Sequence, residues 1–404
     1  MKFIENGSVT SPKGFLASGV RCGIRPSQTK KDLALIFAQV PCTAAAVYTK
    51  NLVKGAPLAV TKNHLSDGYA RAVICNSGNA NTCNADGKEK AEMTCDALAK
   101  ALNISANDII IGSTGVIGQP INVNAIIGGI PELVEKLSEN GTPAAEAIMT
   151  TDTVKKEYAV EFEIGGKTAH IGAIAKGSGM INPNMATMLS FITTDVKISA
   201  EMLNEALHMA VEDTYNMICI DGDTSTNDMV SIMASGLAEN EEITTANKDF
   251  GNFVSALTIV TAQIAKSIAK DGEGATKLLR VLVSDCKTVE YARTIALSVV
   301  SSSLVKAAMF GADANWGRVL CAIGYAGCDV DVTKIDVSFE SKAGKICVCE
   351  NGAGIPFSED IAKEILLCDE IDILVKMNDG HQAAIAYGCD LTYDYVKING
   401  DYRT

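Results

Sequence analysis

The sequence predicts an α/β fold, a layered sandwich of mixed sheets and helices, on three observations. Apolar residues recur at helical spacing in several long stretches, β-branched and apolar runs lie between them, and two such runs are joined by a pair of glycines as a hairpin. Ala91, Cys95, Leu98 and Leu102 mark one amphipathic helix, Leu203, Ala206, Leu207, Ala210 and Val211 a second, and Phe253, Leu257, Val260, Ile264 and Ile268 a third. Strands are expected over residues 72–75, 109–111, 281–283, 371–377 and 383–387. Residues 158–164, Gly165-Gly166 and residues 168–175 make the hairpin, which delivers the chain directly to Lys176. One long Ala/Ser-rich helix is expected over residues 289–309, with strands following to the C-terminus.

With 404 residues, 47% hydrophobic and 21% charged, the chain can bury a large core and exceeds one typical domain. Two or three domains are expected, with soft borders, because the nine prolines are dispersed and no repeat or low-complexity tract appears. No apolar leader follows Met1, and no unbroken apolar stretch of about 18 residues occurs, so the chain reads as soluble and cytoplasmic with no membrane partner. Net charge is −13 and the 35 Lys and Arg are scattered, which argues against nucleic-acid binding. The thirteen cysteines are odd in number and sit mostly in apolar strings, as reduced buried thiols do. Cys347 and Cys349, on alternate strand positions, have no second pair or histidine cluster to complete a zinc site. His64, His170, His208 and His381 are isolated, and no metal is expected.

The chemistry points to Thr187. In Lys176-Gly-Ser-Gly-Met-Ile-Asn-Pro-Asn-Met-Ala-Thr-Met-Leu189, Gly177, Gly179 and Pro183 preclude an ordinary helix, so the chain must turn. Residues 187–193 then read as a buried strand, which puts Thr187 where an irregular loop enters a strand. A threonine hydroxyl is a weak nucleophile without an adjoining base, and its own α-amine serves only when threonine is N-terminal. In a strained loop the hydroxyl can attack the Ala186 carbonyl, exposing that amine and giving an ester that water hydrolyses to release a new N-terminus. With a reference pKa of about 7.7 to 8, the amine is then poised to take the hydroxyl proton.

Acyl transfer also needs donors for an oxyanion. Ile109-Ile-Ile-Gly-Ser-Thr-Gly-Val-Ile-Gly118 would bring a hydroxyl and backbone amides to a turn, although on local residues alone a plain strand-to-loop glycine turn is the better reading. Residues 223–227, Asp-Thr-Ser-Thr-Asn, follow an apolar run and suit a loop near the site or a simple capping turn equally well. None of them is assigned a catalytic role.

Taken in order, several segments resemble the glutamate N-acetyltransferase family, also called ornithine acetyltransferase, of arginine biosynthesis. They include Ser11-Pro-Lys-Gly-Phe15, Val40-Pro-Cys-Thr-Ala-Ala45, Asn76-Ser-Gly-Asn-Ala-Asn81, residues 112–118, Met149-Thr-Thr-Asp-Thr153 and residues 176–189. Further on come Asp221-Gly-Asp-Thr-Ser-Thr-Asn-Asp228, Asp271-Gly-Glu-Gly-Ala-Thr276, Asp313-Ala-Asn-Trp-Gly-Arg318 and Lys397-Ile-Asn-Gly-Asp-Tyr-Arg-Thr404. The resemblance spans essentially the whole chain. It departs from the family pattern at Ala312, where arginine is frequent, and at Gly400, where alanine is usual.

The chain's organisation suggests a further small C-terminal subdomain from about residue 330, and the resemblance implies self-cleavage between Ala186 and Thr187, giving an α chain of residues 1–186 and a β chain of residues 187–404. It implies ping-pong transfer of acetyl from N2-acetylornithine to glutamate through an acetyl ester on Thr187, and paired αβ units in a heterotetramer of two α and two β chains. No cofactor is then needed, and acetyl-CoA (acetyl-coenzyme A) is a second acetyl donor for some members. It implies oxyanion stabilisation by Thr114 and Gly115, and substrate contacts from Thr153, Lys176, Thr187, Glu273, Asn399 and Thr404. On local residues alone Lys176 and Glu273 would be solvated charges, and Asn399 and Thr404 a frayed tail. The family fold is an α/β sandwich similar to that of the N-terminal-nucleophile hydrolases but distinct in connectivity. Two rival readings are a related N-terminal-threonine amidohydrolase or aminopeptidase, and a non-catalytic amino-acid-binding protein.

Overall fold

A computed structural model describes residues 1–182 and 188–401. Among these, sixteen strands make two sheets, and helices pack on both. This is the layered α/β sandwich of mixed sheets and helices expected from the sequence.

The first sheet has nine strands. From one edge they run Lys2–Phe3, Lys156–Ile164, Lys167–Lys176, Leu189–Thr194, Met229–Ala234, Leu33–Tyr48, Tyr69–Asn79 and Ile109–Val116, with Phe15–Val20 pairing to Leu33–Tyr48. Two pairings are parallel, Met229–Ala234 with Leu189–Thr194 and Tyr69–Asn79 with Ile109–Val116; the others are antiparallel. The Gly165-Gly166 hairpin forms as expected, both glycines taking the positive φ that a tight turn needs. Every residue of Leu189–Thr194 is buried, as befits a strand with neighbours on both edges and helices over the sheet.

The three helices expected from periodicity are Gly87–Leu102, Ala200–Asp213 and Lys248–Lys270. Asn247 and Ser199 cap two of them, accepting from Phe250 N–H and Met202 N–H. Lys248–Lys270 is long and apolar enough to cross a membrane by length and composition, yet it is a core helix: Phe253, Leu257, Val260, Ile264 and Ile268 are fully buried against the first sheet.

The second sheet runs Ala353–Gly354, Gly344–Glu350, Asp336–Ser341, Glu370–Lys376, Leu278–Cys286, Gln382–Cys389 and Ile218–Cys219. Its buried face packs on Val289–Ser301, Ser303–Phe310, Trp316–Gly324 and Glu359–Leu366. The single helix expected over residues 289–309 is in fact two, bent by 56°. Ser302 takes an extended conformation, and its side chain accepts from Val305 N–H, capping a new helix instead of continuing the old one.

Candidate active site

One wall of the candidate site is the end of the parallel pair Tyr69–Asn79 and Ile109–Val116, where Ser77 lies opposite Thr114 and Gly78 opposite Gly115. Gly115 has φ +126°, and a Cβ there would sit 2.4 Å from the Gly78 carbonyl carbon, so only glycine lets the strands approach this closely. The triple-isoleucine run before it is buried and locks the strand, and Ser113 Oγ donates to Asn76 Oδ1 at 2.6 Å. Thr114 is 9% exposed. A rigid strand thus ends in a hydroxyl and a glycine amide.

The opposite wall grows from Lys176, the last residue of its strand, which pairs with Leu189. Beneath it lies a buried ion network that sequence reasoning missed. Lys156 Nζ donates to Asp152 Oδ1 at 2.7 Å and to Asp271 Oδ2 at 2.6 Å. Asp152 also accepts the N–H groups of Thr150 and Gly177, while Asp271 accepts those of Thr153 and Val154. Burial alone would raise the Asp152 pKa, but the Lys176 and Lys156 charges overcome it and hold the carboxyl down at about 2. The network therefore joins the 150–154 loop, the turn after Lys176 and the loop that carries Glu273.

That third loop is positioned twice over. Ser178 Oγ donates to the Asp271 carbonyl at 2.7 Å, and Glu273 N–H donates to the Ser178 carbonyl at 2.9 Å. A Cβ on Gly179 would come within 2.4 Å of the Glu273 carboxyl, so the glycine makes room for that acid. Asn399, on the exposed helix Tyr393–Asp401, donates to Glu273 Oε2 at 2.8 Å.

Between these walls is a cleft of about 150 Å³ that brings together Thr114, Gly115, Lys176, Glu273 and Asn399, five of the residues expected. Thr150, Thr151, Ser225, Thr226 and Asn227 line it too. Thr153 does not face this cleft. It lines an adjacent depression with Asp271 and Lys397, and its hydroxyl donates to Asp271. Ala186, Thr187 and Thr404 lie outside the described residues.

The chain is strapped on both sides of residues 183–187. Before them, Met180 and Ile181 N–H donate to the Asp221 carboxyl at 2.6 and 2.9 Å, and Asn182 Nδ2 donates to the Gly222 carbonyl. After them, Met229 N–H donates to the Met188 carbonyl at 3.0 Å. Burial raises the Asp221 pKa, and it raises that of Asp228, at the end of the same segment, well above its ordinary value; among the described residues Asp228 Oδ2 has no hydrogen-bond partner. Only the Asp221-Gly-Asp cluster hinted at this clamp.

A larger groove of about 400 Å³ crosses the second sheet and shares no lining residue with this cleft. Lys266, Arg280 and Lys342 within it are paired with Glu370, Asp372 and Asp369. Its charges satisfy one another, whereas Lys176 and Glu273 of the cleft form no ion pair with each other among the described residues. No group of three or more His, Cys, Asp or Glu among the described residues is placed to hold a metal.

Comparison with known proteins adds identity to geometry. A model of the ArgJ family matches residues 16–404. The arginine biosynthesis bifunctional protein ArgJ 1 of Clostridium acetobutylicum is 47% identical over 406 aligned residues, spanning 100% of this chain and 99% of that protein. The Bacillus subtilis bifunctional protein ArgJ is 46% identical, over 98% of this chain and 97% of its own. In a crystal structure of the Bacillus halodurans protein, the matched chain is 47% identical and superposes with a TM-score of 0.51; it is covered completely but takes up only 54% of this chain.

Proposed function

Given that the chain belongs to the ArgJ family, we propose that it is an ornithine acetyltransferase that cleaves itself between Ala186 and Thr187 and then carries acetyl on Thr187 from N2-acetylornithine to glutamate. The observation that supports this most is the cleft itself. It sets a hydroxyl and a glycine amide against a lysine and a glutamate, beside the two straps that hold residues 182 and 188. The Bacillus halodurans match supports the cut: its whole chain corresponds to 54% of this one, the share that residues 187–404 would make.

In maturation Thr187 Oγ attacks the Ala186 carbonyl and the C–N bond breaks, which frees the Thr187 amine and leaves an ester; water then hydrolyses that ester, freeing the Thr187 hydroxyl and the Ala186 carboxylate. In transfer that amine takes the Oγ proton as Oγ attacks the acetyl carbonyl of acetylornithine. The oxyanion is held by the Thr114 hydroxyl and Gly115 N–H. Ornithine leaves with the proton, and the glutamate amine attacks the acetyl ester, regenerating the free hydroxyl. Lys176 faces the α-carboxylate and Glu273 an ammonium of the amino-acid substrates. Thr153, which borders the adjoining depression, Asn399 and the terminal Thr404 complete the substrate contacts.

No cofactor takes part, since threonine supplies both carrier and base. Acetyl-CoA with glutamate, and no acetylornithine, tests for the second acetyl donor. The assembly proposed is a cytoplasmic heterotetramer of two α and two β chains, which native mass spectrometry checks.

The deciding experiment is intact mass together with transfer activity. Active protein should consist of two chains, the second beginning Thr-Met-Leu-Ser. Thr187→Ala should remain uncut and transfer nothing, whereas Thr187→Ser should keep part of both. A fully active uncut chain would overturn the reading. Free acetate formed faster than acetylglutamate would make the protein a hydrolase instead.

A further inference from the structure

The loop after Ile220 carries one amide whose whole hydrogen-bonding capacity is spent on the walls of the cleft. Asn227 lines the cleft, is 5% exposed and is held at its own backbone by Ser225 Oγ. Its Nδ2 donates to the Ala80 carbonyl at 2.6 Å and to the Ser113 carbonyl at 2.9 Å. Its Oδ1 accepts the hydroxyls of Thr82 and Thr226, both at 2.6 Å. An asparagine amide offers two N–H groups and two lone pairs, so nothing is left over. The orientation is fixed as well, because carbonyl oxygens can only accept.

These partners bracket the Thr114–Gly115 dipeptide. The Ser113 carbonyl belongs to the same rigid peptide plane as the Thr114 N–H, so gripping one orients the other. On the far side, Ala80 N–H donates to the Val116 carbonyl at 2.8 Å, and Gly118 N–H donates to the Thr82 carbonyl at 3.0 Å. One side chain thus ties down the residue before the dipeptide and, through Ala80 and Thr82, the residues after it. Gly55 closes in from behind: a Cβ there would lie 2.4 Å from Asn227 Nδ2, and Gly55 N–H donates to the Thr226 carbonyl.

We infer that Asn227 is a positioning residue for acyl transfer, holding Thr114 and Gly115 in the orientation that receives the oxyanion. This rests on the function proposed above. The threonine and glycine supply the donors, and Asn227 supplies their fixity; a misplacement of about 1 Å at a reacting centre can cost on the order of 100-fold. Asn227 touches neither acyl carbon nor nucleophile in this role, so its loss lowers turnover more than substrate affinity.

The test uses the full chain carrying Asn227→Ala, Asn227→Asp, Thr114→Ala or both Asn227→Ala and Thr114→Ala. Rates of self-cleavage and of acetyl transfer are read for each, with thermal unfolding to establish that the variant is folded. Asn227→Ala should lower kcat about 10- to 100-fold with KM within about threefold. Asn227→Asp should be slower still, since it turns acceptors toward the Ala80 and Ser113 carbonyls. The double variant should be little slower than Thr114→Ala alone, because both act through one oxyanion site. Where a variant stops before the cut, its cleavage rate gives the same comparison. A folded Asn227→Ala protein with wild-type rates, a defect confined to KM, or full multiplication with Thr114→Ala would each overturn the inference. If Thr187→Ala also transfers acetyl, the reading of Thr187 as acetyl carrier itself falls, a result distinct from a silent Asn227.

Discussion

The molecule handles charge in two unlike ways, under the cleft and on the second sheet. Under the cleft, the side chains of Lys156 and Asp152 are fully buried and that of Asp271 is 6% exposed. On the second sheet, Glu370 meets Lys266 and Lys270 at 2.9 and 2.8 Å with all three side chains 37% exposed or more. Distances are alike, but surroundings differ. A desolvated charge must be paired, and removing its partner strands it, whereas an exposed pair exchanges water for a modest attraction. The buried trio also accepts backbone N–H groups from the 150–154 loop and Gly177, so its charges set the shape of a site. The surface trio sets nothing.

The contrast breaks most visibly at Lys156. Lys156→Met would leave two buried carboxylates facing each other, at a cost of about 3 to 5 kcal/mol. Calorimetry should show a large drop in Tm; an unchanged Tm would erase the difference between the two regions.

Acid comes next. The Asp152 pKa falls on folding from 3.8 to about 2, so the carboxylate stabilises the fold above pH 4, and that contribution, about 2 kcal/mol, is lost as pH falls from about 4 toward 2. Denaturant unfolding over this window should show the loss in the native chain. The corresponding slope should be missing from Asp152→Asn.

Glu273 stands between the two regimes, half-buried and hydrogen-bonded to Asn399. Glu273→Gln keeps an acceptor for Asn399 but loses the charge for a substrate ammonium. KM for acetylornithine should rise about tenfold, roughly 1.4 kcal/mol, with kcat changed less. A fall in kcat alone would move Glu273 from binding to chemistry.

The smallest effect belongs to the surface. Glu370→Gln should change stability by no more than about 1 kcal/mol, and less at about 1 M salt, where the screening length is about 3 Å. A larger, salt-insensitive loss would show that the second sheet depends on its ion pairs after all.

What the sequence made legible follows from how local each signal is. Phe253, Leu257, Val260, Ile264 and Ile268 fall on one helical face whatever lies opposite, and Gly165-Gly166 reports its own turn. The break at Ser302 is local too, but a serine inside an apolar stretch reads equally as helix interior or cap. Within the site, Gly112-Ser-Thr-Gly115 reads as a turn, whereas the strand continues through it to Val116, because Gly78 approaches from another strand and keeps it paired. Lys156 binds acids 4 and 115 positions away in the chain. Only the nearer could leave a pattern, and Asp152 four residues before a lysine is too common a spacing to stand out. Asn227 was visible as a polar loop residue, while its grip on Ser113 and Ala80 joins segments that only the fold brings together.

The strand order of the first sheet bears on what a cut before Thr187 would do mechanically. Leu189–Thr194 and Met229–Ala234 lie side by side at its centre, flanked on one edge by Lys167–Lys176 and on the other by Leu33–Tyr48. The two pieces would be interleaved like shuffled cards, the later piece wedged between strands of the earlier one and zipped to it along both edges. Severing one peptide bond there would release no part: the break frees an amine while the sheet, and with it the distance from Thr114 to Lys176, is kept by ladders that the cut does not touch.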